Sequence, residues 1–446
     1  MMTNRPREQI TKPVFVLLLL MFSIAYNNHF RGIQALWLGV SALVIVVLGV
    51  KSLGVRMVWG RRPAFILPTR WTIKRMAEWT VLSKWMLAFY GFSLLSLLWA
   101  IERTLPNSMK TMALMFITLG ILSNLIVTRQ DLERLLAVNY IALILCGVYI
   151  LATVDRSQLG NVRISSGMEG LWNSNDISVK MCLGSQMALY YLKTCKPRPL
   201  KLLHMGCLIL FVIIVLYSGS RTGFLQLFIA ITLYLLFFAR GTKKVSAILG
   251  IVCIVVIGYY ALMHYQPLYN VLGSRLEAAT AGLFGEGTRE GSFNKRMQMI
   301  TGGLQWFLDR PILGYGIGKF SLLYGQEYGI ELYAHNNYIE ILISLGTIGF
   351  ILYYIIYYDT LKQLWRAVRM RRDPLAICII VMNISRLISQ LSSVSYYRLD
   401  AYIMLLFASI YFESARRETE TTRSRNKPQA SNCKVWKAHG DHTLAE

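Results

Sequence analysis

The sequence predicts an all-α protein, a polytopic transmembrane bundle of about twelve helices with both termini in the cytoplasm and one long extracytoplasmic loop. Three observations support this fold class. Hydrophobic residues make up 55% of the 446-residue chain, charged residues make up 16%, and the mean hydropathy is +0.45; soluble domains are less apolar and more charged. Apolar runs of about 20 residues, the length that crosses ~30 Å of hydrocarbon, recur along the chain. Most of the 47 Lys and Arg residues lie between these runs.

Each apolar run is long enough for one membrane-crossing helix, and the first run has the features of a leader. It follows Arg5, Arg7 and Lys12 as in a signal peptide, but no small-x-small cleavage site comes after it, so we expect an uncleaved first span. The runs cover residues 12–28, 33–50, 81–100, 111–127, 135–153, 177–193, 202–218, 222–239, 245–265, 337–358, 375–392 and 396–413.

The distribution of Lys and Arg predicts the orientation of these spans. With the amino terminus inside, 31 of these residues fall in inner segments and 12 in outer segments, as the positive-inside rule requires. The net charge of +24 is then explained by topology and by contact with anionic lipid. We therefore expect the lipid bilayer as a partner and no nucleic acid.

Composition divides the chain into three regions. Residues 1–153 form the amino-terminal spans, and residues 154–413 form a transmembrane core that includes an extracytoplasmic loop at 266–336. Residues 414–446 form a basic cytoplasmic tail, and its mixture of Arg, Lys, Thr, Ser and Glu predicts disorder.

The loop at 266–336 far exceeds an ordinary connection, so we expect either a functional lid or a small extracytoplasmic subdomain. Apolar residues recur there at steps of three and four, which predicts an amphipathic helix against the bilayer surface or the bundle. Pro311 and three glycines should end it, and those glycines predict a flexible turn, since they lack the strand-turn-helix context of a nucleotide-binding loop. The helical positions are Met297, Ile300, Leu304 and Phe307, and the glycines are Gly314, Gly316 and Gly318.

The seven cysteines lie in apolar runs or inner segments, so no disulfide framework is expected. No pair has the Cys-x-x-Cys spacing of a zinc site, and no cluster of His, Asp and Glu offers metal ligands. We expect neither a metal nor another cofactor.

His335 is the first candidate for chemistry because it lies where the polar loop meets an apolar span. Histidine titrates near neutrality. Asn336 can cap the following helix, whose dipole opposes protonation of a nearby imidazole and favours a bound phosphate. A neutral histidine here can act as a base; the alternative is a hydrogen-bonded interfacial residue. Glu340 is the nearest following carboxylate, and five residues on it is expected to face elsewhere.

Two arginines are candidates for binding an anion. Arg221, after Ser220, lies in a short break between two spans, where an arginine either snorkels to the surface or meets an anion. Arg296 lies beside Lys295 in the long loop, where the alternative is a solvated helix face. Guanidinium groups suit bidentate phosphate contacts.

These residues lie in motifs that resemble the bacterial O-antigen ligase and polysaccharide polymerase superfamily of integral-membrane glycosyltransferases. The resemblance is strongest over residues 150–410. One departure is Asn173-Ser174-Asn175, where the family often has Asn-Pro-Asn. The matching motifs are Ser218-Gly219-Ser220-Arg221, then Arg296, then Asp309-Arg310-Pro311-Ile312-Leu313-Gly314-Tyr315-Gly316, then His335-Asn336-Asn337-Tyr338-Ile339 with Gly346 and Gly349.

The resemblance implies a metal-independent, inverting transfer of a glycan from an undecaprenyl-diphosphate carrier to an acceptor hydroxyl at the outer face of the bacterial cytoplasmic membrane. It implies His335 as the catalytic base and Arg221 and Arg296 as diphosphate ligands. Candidate substrate contacts are Ser220, Lys295, Asn336, Asn173 and Asn175.

Three functions remain open from the sequence. A polymerase of surface-polysaccharide repeat units is preferred, and a ligase that attaches finished glycan to lipid A core or another acceptor is the alternative. Other polysaccharide-assembly membrane proteins are candidate partners for either enzyme. A lipid-linked glycan flippase or transporter would instead use basic residues within spans, and the available ones are Lys84, Lys180, Arg386 and Arg398.

Overall fold

The computed structural model describes residues 56–58, 64–66, 81–126, 128–155, 157, 159–164, 173–284 and 291–425, together with the isolated positions 20, 23 and 46. The spans expected at 12–28 and 33–50 lie outside this part of the chain apart from those three positions, and so does the tail beyond residue 425.

The regular secondary structure of the described residues is helical apart from two three-residue strands. The strands β1 (Arg56–Val58) and β2 (Ala64–Ile66) pair antiparallel. The first seven helices are α1 Val81–Leu95, α2 Asn107–Leu125, α3 Arg129–Thr153, α4 Ser174–Thr194, α5 Arg198–Tyr217, α6 Arg221–Phe238 and α7 Lys243–His264. The others are α8 Gln266–Leu268, α9 Ser274–Phe284, α10 Gly291–Asp309, α11 Phe320–Tyr328, α12 Asn337–Arg371, α13 Pro374–Ser389 and α14 Leu399–Arg425. A 3₁₀ turn covers Ser96–Leu98, and a π turn covers Tyr269–Gly273.

The helices lie where the apolar runs predict them. Each of the ten spans expected between residues 81 and 413 coincides with a helix, from α1 to α7 and from α12 to α14. Five of these, α3, α5, α6, α7 and α12, are long and apolar enough to cross a membrane. The chain is therefore an integral membrane protein, while the total number of crossings and the location of the termini stay predictions.

One expectation for the tail is wrong in part. Helix α14 continues to Arg425, so residues 414–425 are helical where disorder was expected. Spacing explains this extension: Arg417 lies 3.6 Å from the carboxylate of Glu413, one turn earlier, and such pairs add modest support to an exposed helix.

Aromatic packing joins the first and last helices into one core. Phe89 of α1 packs on Tyr353 of α12 with ring centroids 5.1 Å apart, and Tyr353 meets Tyr402 of α14 edge-on at 6.3 Å. All three side chains are fully buried. Such tilted aromatic contacts add specificity to the burial of apolar surface. They hold α12 against both α1 and α14.

Helix α12 is broken at Gly346, whose φ of 63° and ψ of −166° are not helical. The segment after α10 lies beside this break and replaces the missing helical hydrogen bonds. The amides of Tyr315 and Gly316 donate to the carbonyls of Ile343 and Ser344 at 3.0 and 2.8 Å. The amide of Thr347 donates to the carbonyl of Pro311 at 2.8 Å. Irregular backbone inside a membrane protein needs such internal partners.

The expected turn at Gly314, Gly316 and Gly318 is therefore a fixed one. All three have positive φ, and a Cβ at Gly314 would lie 2.5 Å from the carbonyl oxygen of Ile343. The turn lies where the sequence predicts it, and its glycines allow this close backbone approach.

The long loop forms a helical subdomain on the amino-terminal half of α12. Its small core joins α10 to α11 and to α12, and it contains Met299, Trp306, Tyr315, Phe320, Tyr324, Ala334, Ile339 and Ile343. Met299 and Trp306 are the most buried hydrophobic side chains described in α10. Of the predicted stripe, Ile300 and Phe307 pack against this core, whereas Met297 and Leu304 are exposed. The helix was predicted correctly, and two of the four residues of the predicted stripe pack on this core. Gly302 and Gly303 lie on the same helix with side chains of neighbouring elements close to them.

Charged groups inside the bundle form a connected set. Arg386 donates to both carboxylate oxygens of Asp400 at 3.0 and 3.2 Å, and Arg398 joins Asp400 to Asp176. Lys180 lines a small cavity of about 30 Å³ with Arg386 and Asp400, which is room for about one water molecule. Three of the basic residues that a transporter would use thus lie beside a carboxylate, while Lys84 is exposed.

Candidate functional site

Two polar segments lie at one end of the bundle, which we call the site end: it contains the amino ends of α4, α6 and α12. The first segment is the turn of residues 218–221, and the second is residues 333–336 before α12. Contacts at the amino end of α4 connect the two.

His335 has a left-handed backbone with φ of 49°, a conformation that costs free energy for a residue with a side chain. Neighbouring hydrogen bonds hold it there. The amide of Ala334 donates to Glu340 Oε2 at 3.1 Å, and Asn336 Oδ1 accepts from the amides of Tyr338 and Ile339 at 2.9 and 3.3 Å. These contacts fix the chain on both sides of the imidazole.

Glu340 therefore does not face away from His335, as the spacing had suggested. Its buried carboxylate points back at the segment before α12 and binds the amide next to His335. Sequence reasoning missed this because it depends on how the chain enters α12. The cap at Asn336 sets that direction, and the side chain of Glu340 then extends back past the helix end to Ala334.

The imidazole of His335 is half-buried and packs on the ring of Tyr333, with centroids 4.0 Å apart. Burial, together with the smaller effect of the positive charge of Arg296, lowers the pKa of His335 to about 4. The imidazole is thus neutral at pH 7 and free to accept a proton. The sequence argument used the helix dipole; removal from water and Arg296 are the causes that the structure adds.

Arg296 is half-buried near the start of α10, and its charge acts on both His335 and Tyr333. The structure thus brings Arg296 and His335 together, although 39 positions of sequence separate them. The neighbouring Lys295 is exposed. Asn336 lies buried as the cap of α12, so its carbonyl oxygen is already used.

Arg221 is the first residue of α6. Ser220 caps this helix by accepting from the amide of Gly223 at 3.2 Å, and its hydroxyl donates to Asn175 Oδ1 at 2.8 Å. Asn173 caps α4 by accepting from the amide of Asn175 at 3.0 Å. The structure therefore brings Ser220, Asn173 and Asn175 into one group beside Arg221.

Two further arginines surround this turn. Arg275 donates to the carbonyl of Gly219 at 2.9 Å and accepts from Arg221 through its own carbonyl at 3.4 Å. Arg163 donates to the carbonyl of Ser218 at 3.0 Å and also contacts the hydroxyl of Ser174. Gly219 permits this crowding, because a Cβ there would meet Val271 O at 2.6 Å and Arg163 Cγ at 2.9 Å.

Asp176 connects the two polar segments. Arg398 donates to Asp176 Oδ1 at 2.6 Å, one residue from the Asn175 that binds Ser220. Partial removal of the Tyr333 phenol from water raises its pKa; the negative charge of Asp176 raises this pKa as well, and the positive charge of Arg398 lowers it. Within the described residues no hydrogen bond or ion pair joins Arg221 to His335 directly, so they share one end of the bundle through α4 and Tyr333.

The geometry is that of a site for an anion and a proton acceptor. One side offers arginine side chains around a helix amino end, and the other offers a neutral imidazole beside a further arginine. Guanidinium groups and helix amino ends both stabilise phosphate oxygens. Such a site can bind a phosphorylated group and remove a proton from a hydroxyl next to it.

Comparison with known proteins agrees with the motif resemblance. Residues 206–354 match a family model described as O-antigen ligase. The matched segment contains Arg221, Arg296 and His335. No curated protein matches the chain.

Proposed function

We propose that this chain, whose residues 206–354 match a family model described as O-antigen ligase, is a membrane glycosyltransferase of the ligase and polymerase superfamily. It moves a glycan from an undecaprenyl-diphosphate carrier to an acceptor hydroxyl at the outer face of the bacterial cytoplasmic membrane. Within this class we infer that it polymerises surface-polysaccharide repeat units. The observation that carries the proposal is a neutral His335 next to Arg296, at the same end of the bundle as Arg221.

His335 is the base in this proposal. Its neutral imidazole takes the proton of the acceptor hydroxyl as the hydroxyl oxygen attacks the anomeric carbon of the donor sugar. The bond from that carbon to the phosphate oxygen breaks, and its electron pair leaves with the lipid diphosphate. Attack opposite the leaving group inverts the anomeric centre. A positioned base contributes roughly 10²- to 10⁴-fold to the rate.

Arg221 and Arg296 bind the diphosphate and stabilise the charge that grows on it as the bond breaks. Such stabilisation is commonly the largest catalytic effect, and a diphosphate is already a good leaving group, so neither a metal nor an acid is assigned a role. Asn173, Asn175 and Ser220 position the Arg221 turn through their mutual hydrogen bonds, and Lys295 and Asn336 are the remaining proposed contacts.

The membrane setting suits a lipid-linked donor. The polyprenyl chain of the carrier enters from the bilayer, while its diphosphate and glycan reach the site end. Five helices of the described chain are apolar enough to cross a membrane, and two of them, α6 and α12, begin at the site end. The alternative of a transporter is weakened because Arg386 and Arg398, which it would use, are paired with Asp400 and Asp176.

A ligase is the second candidate, and the matching family model is described by that activity. It would use the same donor and the same base, with lipid A core or another molecule as the acceptor. Carrier-linked and surface glycans from a strain that lacks this protein separate the two. A polymerase deletion leaves single repeat units on the carrier lipid. A ligase deletion accumulates full-length polymer on the carrier, which would overturn the polymerase assignment.

Complementation of that strain tests the residues. His335→Ala and Arg221→Ala should each abolish product while the protein stays inserted at normal abundance. His264→Ala and Arg103→Ala are matched controls, because both side chains are exposed and lie outside the two polar segments. Normal product from the His335→Ala strain would refute the base assignment.

A further inference from the structure

A basic cleft lies at the end of the bundle opposite His335, between the carboxyl ends of α4, α6 and α12 and the amino end of α7. Its volume is about 560 Å³. Four cationic side chains line it, together with two aromatic rings. These residues are Lys193, Arg240, Lys243, Arg372, Phe237 and Phe238.

No carboxylate lines this cleft, and none of its four cations has an ion-pair partner among the described residues. The nearest carboxylate in sequence is Asp373, and it is engaged elsewhere. It accepts from Arg129 at 2.6 and 2.8 Å and from the hydroxyl of Tyr411 at 3.0 Å. Arg372 adopts a left-handed backbone with φ of 48°, which turns the chain between α12 and Asp373. The positive charge of the cleft is therefore not neutralised from within.

The two aromatic rings help to position the cations that would bind an anionic headgroup. Lys193 Nζ lies 5.0 Å from the ring centroid of Phe238. This cation–π contact holds the ammonium group against the aromatic side of the cleft. Helix α7 begins at Lys243, so its positive dipole end adds to the attraction for an anion.

The surface that continues from the cleft is apolar. Along α7, Val245, Ile248, Leu249 and Val252 are each more than half exposed. A face of this kind on a membrane helix meets acyl chains. An anion with two hydrocarbon tails therefore fits the surface, whereas a free phosphate would use only the cleft.

We propose that this cleft binds the phosphate headgroup of an anionic diacyl phospholipid whose acyl chains lie along α7. The lysine and arginine distribution places this end of the bundle on the inner side of the membrane, where basic pockets between helices hold such headgroups. The binding site is separate from the site around His335 and does not depend on its function.

Native mass spectrometry of the full chain in uncharged detergent tests the proposal. The probes are dioleoylphosphatidylglycerol and dioleoylphosphatidylcholine, which share acyl chains and differ in net charge, with inorganic phosphate as the competitor. We expect one phosphatidylglycerol to be retained at least tenfold more tightly than phosphatidylcholine, and an equal concentration of phosphate to leave it bound. Equal retention of both lipids, or displacement by phosphate, would overturn the proposal.

Paired variants locate the lipid. Arg240→Gln with Lys243→Gln should weaken phosphatidylglycerol binding about 25-fold, since each charge near a membrane surface contributes about fivefold. Arg240→Lys with Lys243→Arg should restore it. The control is Arg198→Gln with Lys201→Gln, two exposed cations at the same end outside the cleft. If the first pair fails to fold, Lys193→Met takes its place. An equal loss in the cleft and control variants would contradict the proposed site.

Discussion

At the residue scale, the most informative side chain is one whose backbone is held in an uncommon conformation. The left-handed φ of His335 costs roughly 1 kcal/mol and persists because its neighbours fix it. Glu340 binds the amide of Ala334 before it, and Asn336 caps α12 after it. Folding therefore orders the proposed base before any substrate binds, and such preorganisation raises the rate of a reaction.

The lowered pKa of His335 gives a prediction about pH. A base works only while neutral, so activity should fall as pH drops through the pKa of His335, near 4, and not near the ordinary value of about 6.5. The measurement is kcat/KM for glycan transfer against pH in detergent, which reports the free enzyme. Arg296→Gln removes a positive charge, so the acid limb of its residual activity should move to higher pH.

Burial lowers the pKa of His335 more than the charge of Arg296 does. In the Arg296→Gln variant we therefore expect the acid limb of the pH–activity profile to move only part of the way toward pH 6.5. Lys295→Gln is the control for this shift, because the adjacent Lys295 is exposed. An acid limb near 6.5 in the unmodified protein would contradict the environment that we describe for His335.

At the element scale, the break in α12 depends on one residue without a side chain. A Cβ at Gly346 would lie 2.2 Å from the carbonyl oxygen of Ile312, and the φ of 63° disfavours any L side chain. The turn at residues 311–316 and both halves of α12 meet there.

We predict that Gly346→Ala destabilises the protein by about 3 kcal/mol or more, since it combines a backbone clash with an unfavourable φ. The measurement is the thermal midpoint of the purified protein and its abundance in membranes. Gly250→Ala is the matched control: Gly250 lies in α7 with open space around it, so alanine should be neutral or stabilise by up to about 1 kcal/mol. Equal midpoints for the two variants would show that the break does not need glycine.

The elements also show where sequence reasoning succeeds and where it stops. Apolar runs located the helices from α1 to α7 and from α12 to α14 because span length and hydropathy are local properties. The exposure of Met297 and Leu304 on α10 and the close backbone approach at Gly314 were not predicted, since both depend on α12 as a packing partner. In the site, motifs selected Arg221, Arg296 and His335. Sequence reasoning missed the roles of Arg163, Arg275 and Glu340, because their contacts follow from folding and carry no local pattern.

At the scale of the whole molecule, the two ends of the bundle differ in chemistry. The site end contains the neutral imidazole of His335 within the electrostatic influence of Arg296, and the opposite end contains the cleft lined by Lys193, Arg240, Lys243 and Arg372. Between them, Asp400 joins α14 to α13 through Arg386 and to α4 through Arg398 and Asp176. The helices that form the site are thus connected by charges within the bundle.

This connection gives a prediction about the stability of the entire bundle. Asp400→Ala should cost about 3–5 kcal/mol, because it leaves the buried guanidinium of Arg386 without its carboxylate. The thermal midpoint and the yield of folded protein measure this loss. Glu413→Ala is the control, since its ion pair with Arg417 is partly exposed and should contribute less than about 1 kcal/mol.

A double variant separates the lost attraction from lost packing. Asp400→Ala combined with Arg386→Met removes both buried charges, so much of the stability should return if an unpaired charge causes the loss. A loss in the double variant as large as in Asp400→Ala would instead assign the effect to the packing of Asp400. Because Arg398 also binds Asp400, recovery should be incomplete, and the remaining deficit measures how far α4 relies on this connection at the site end.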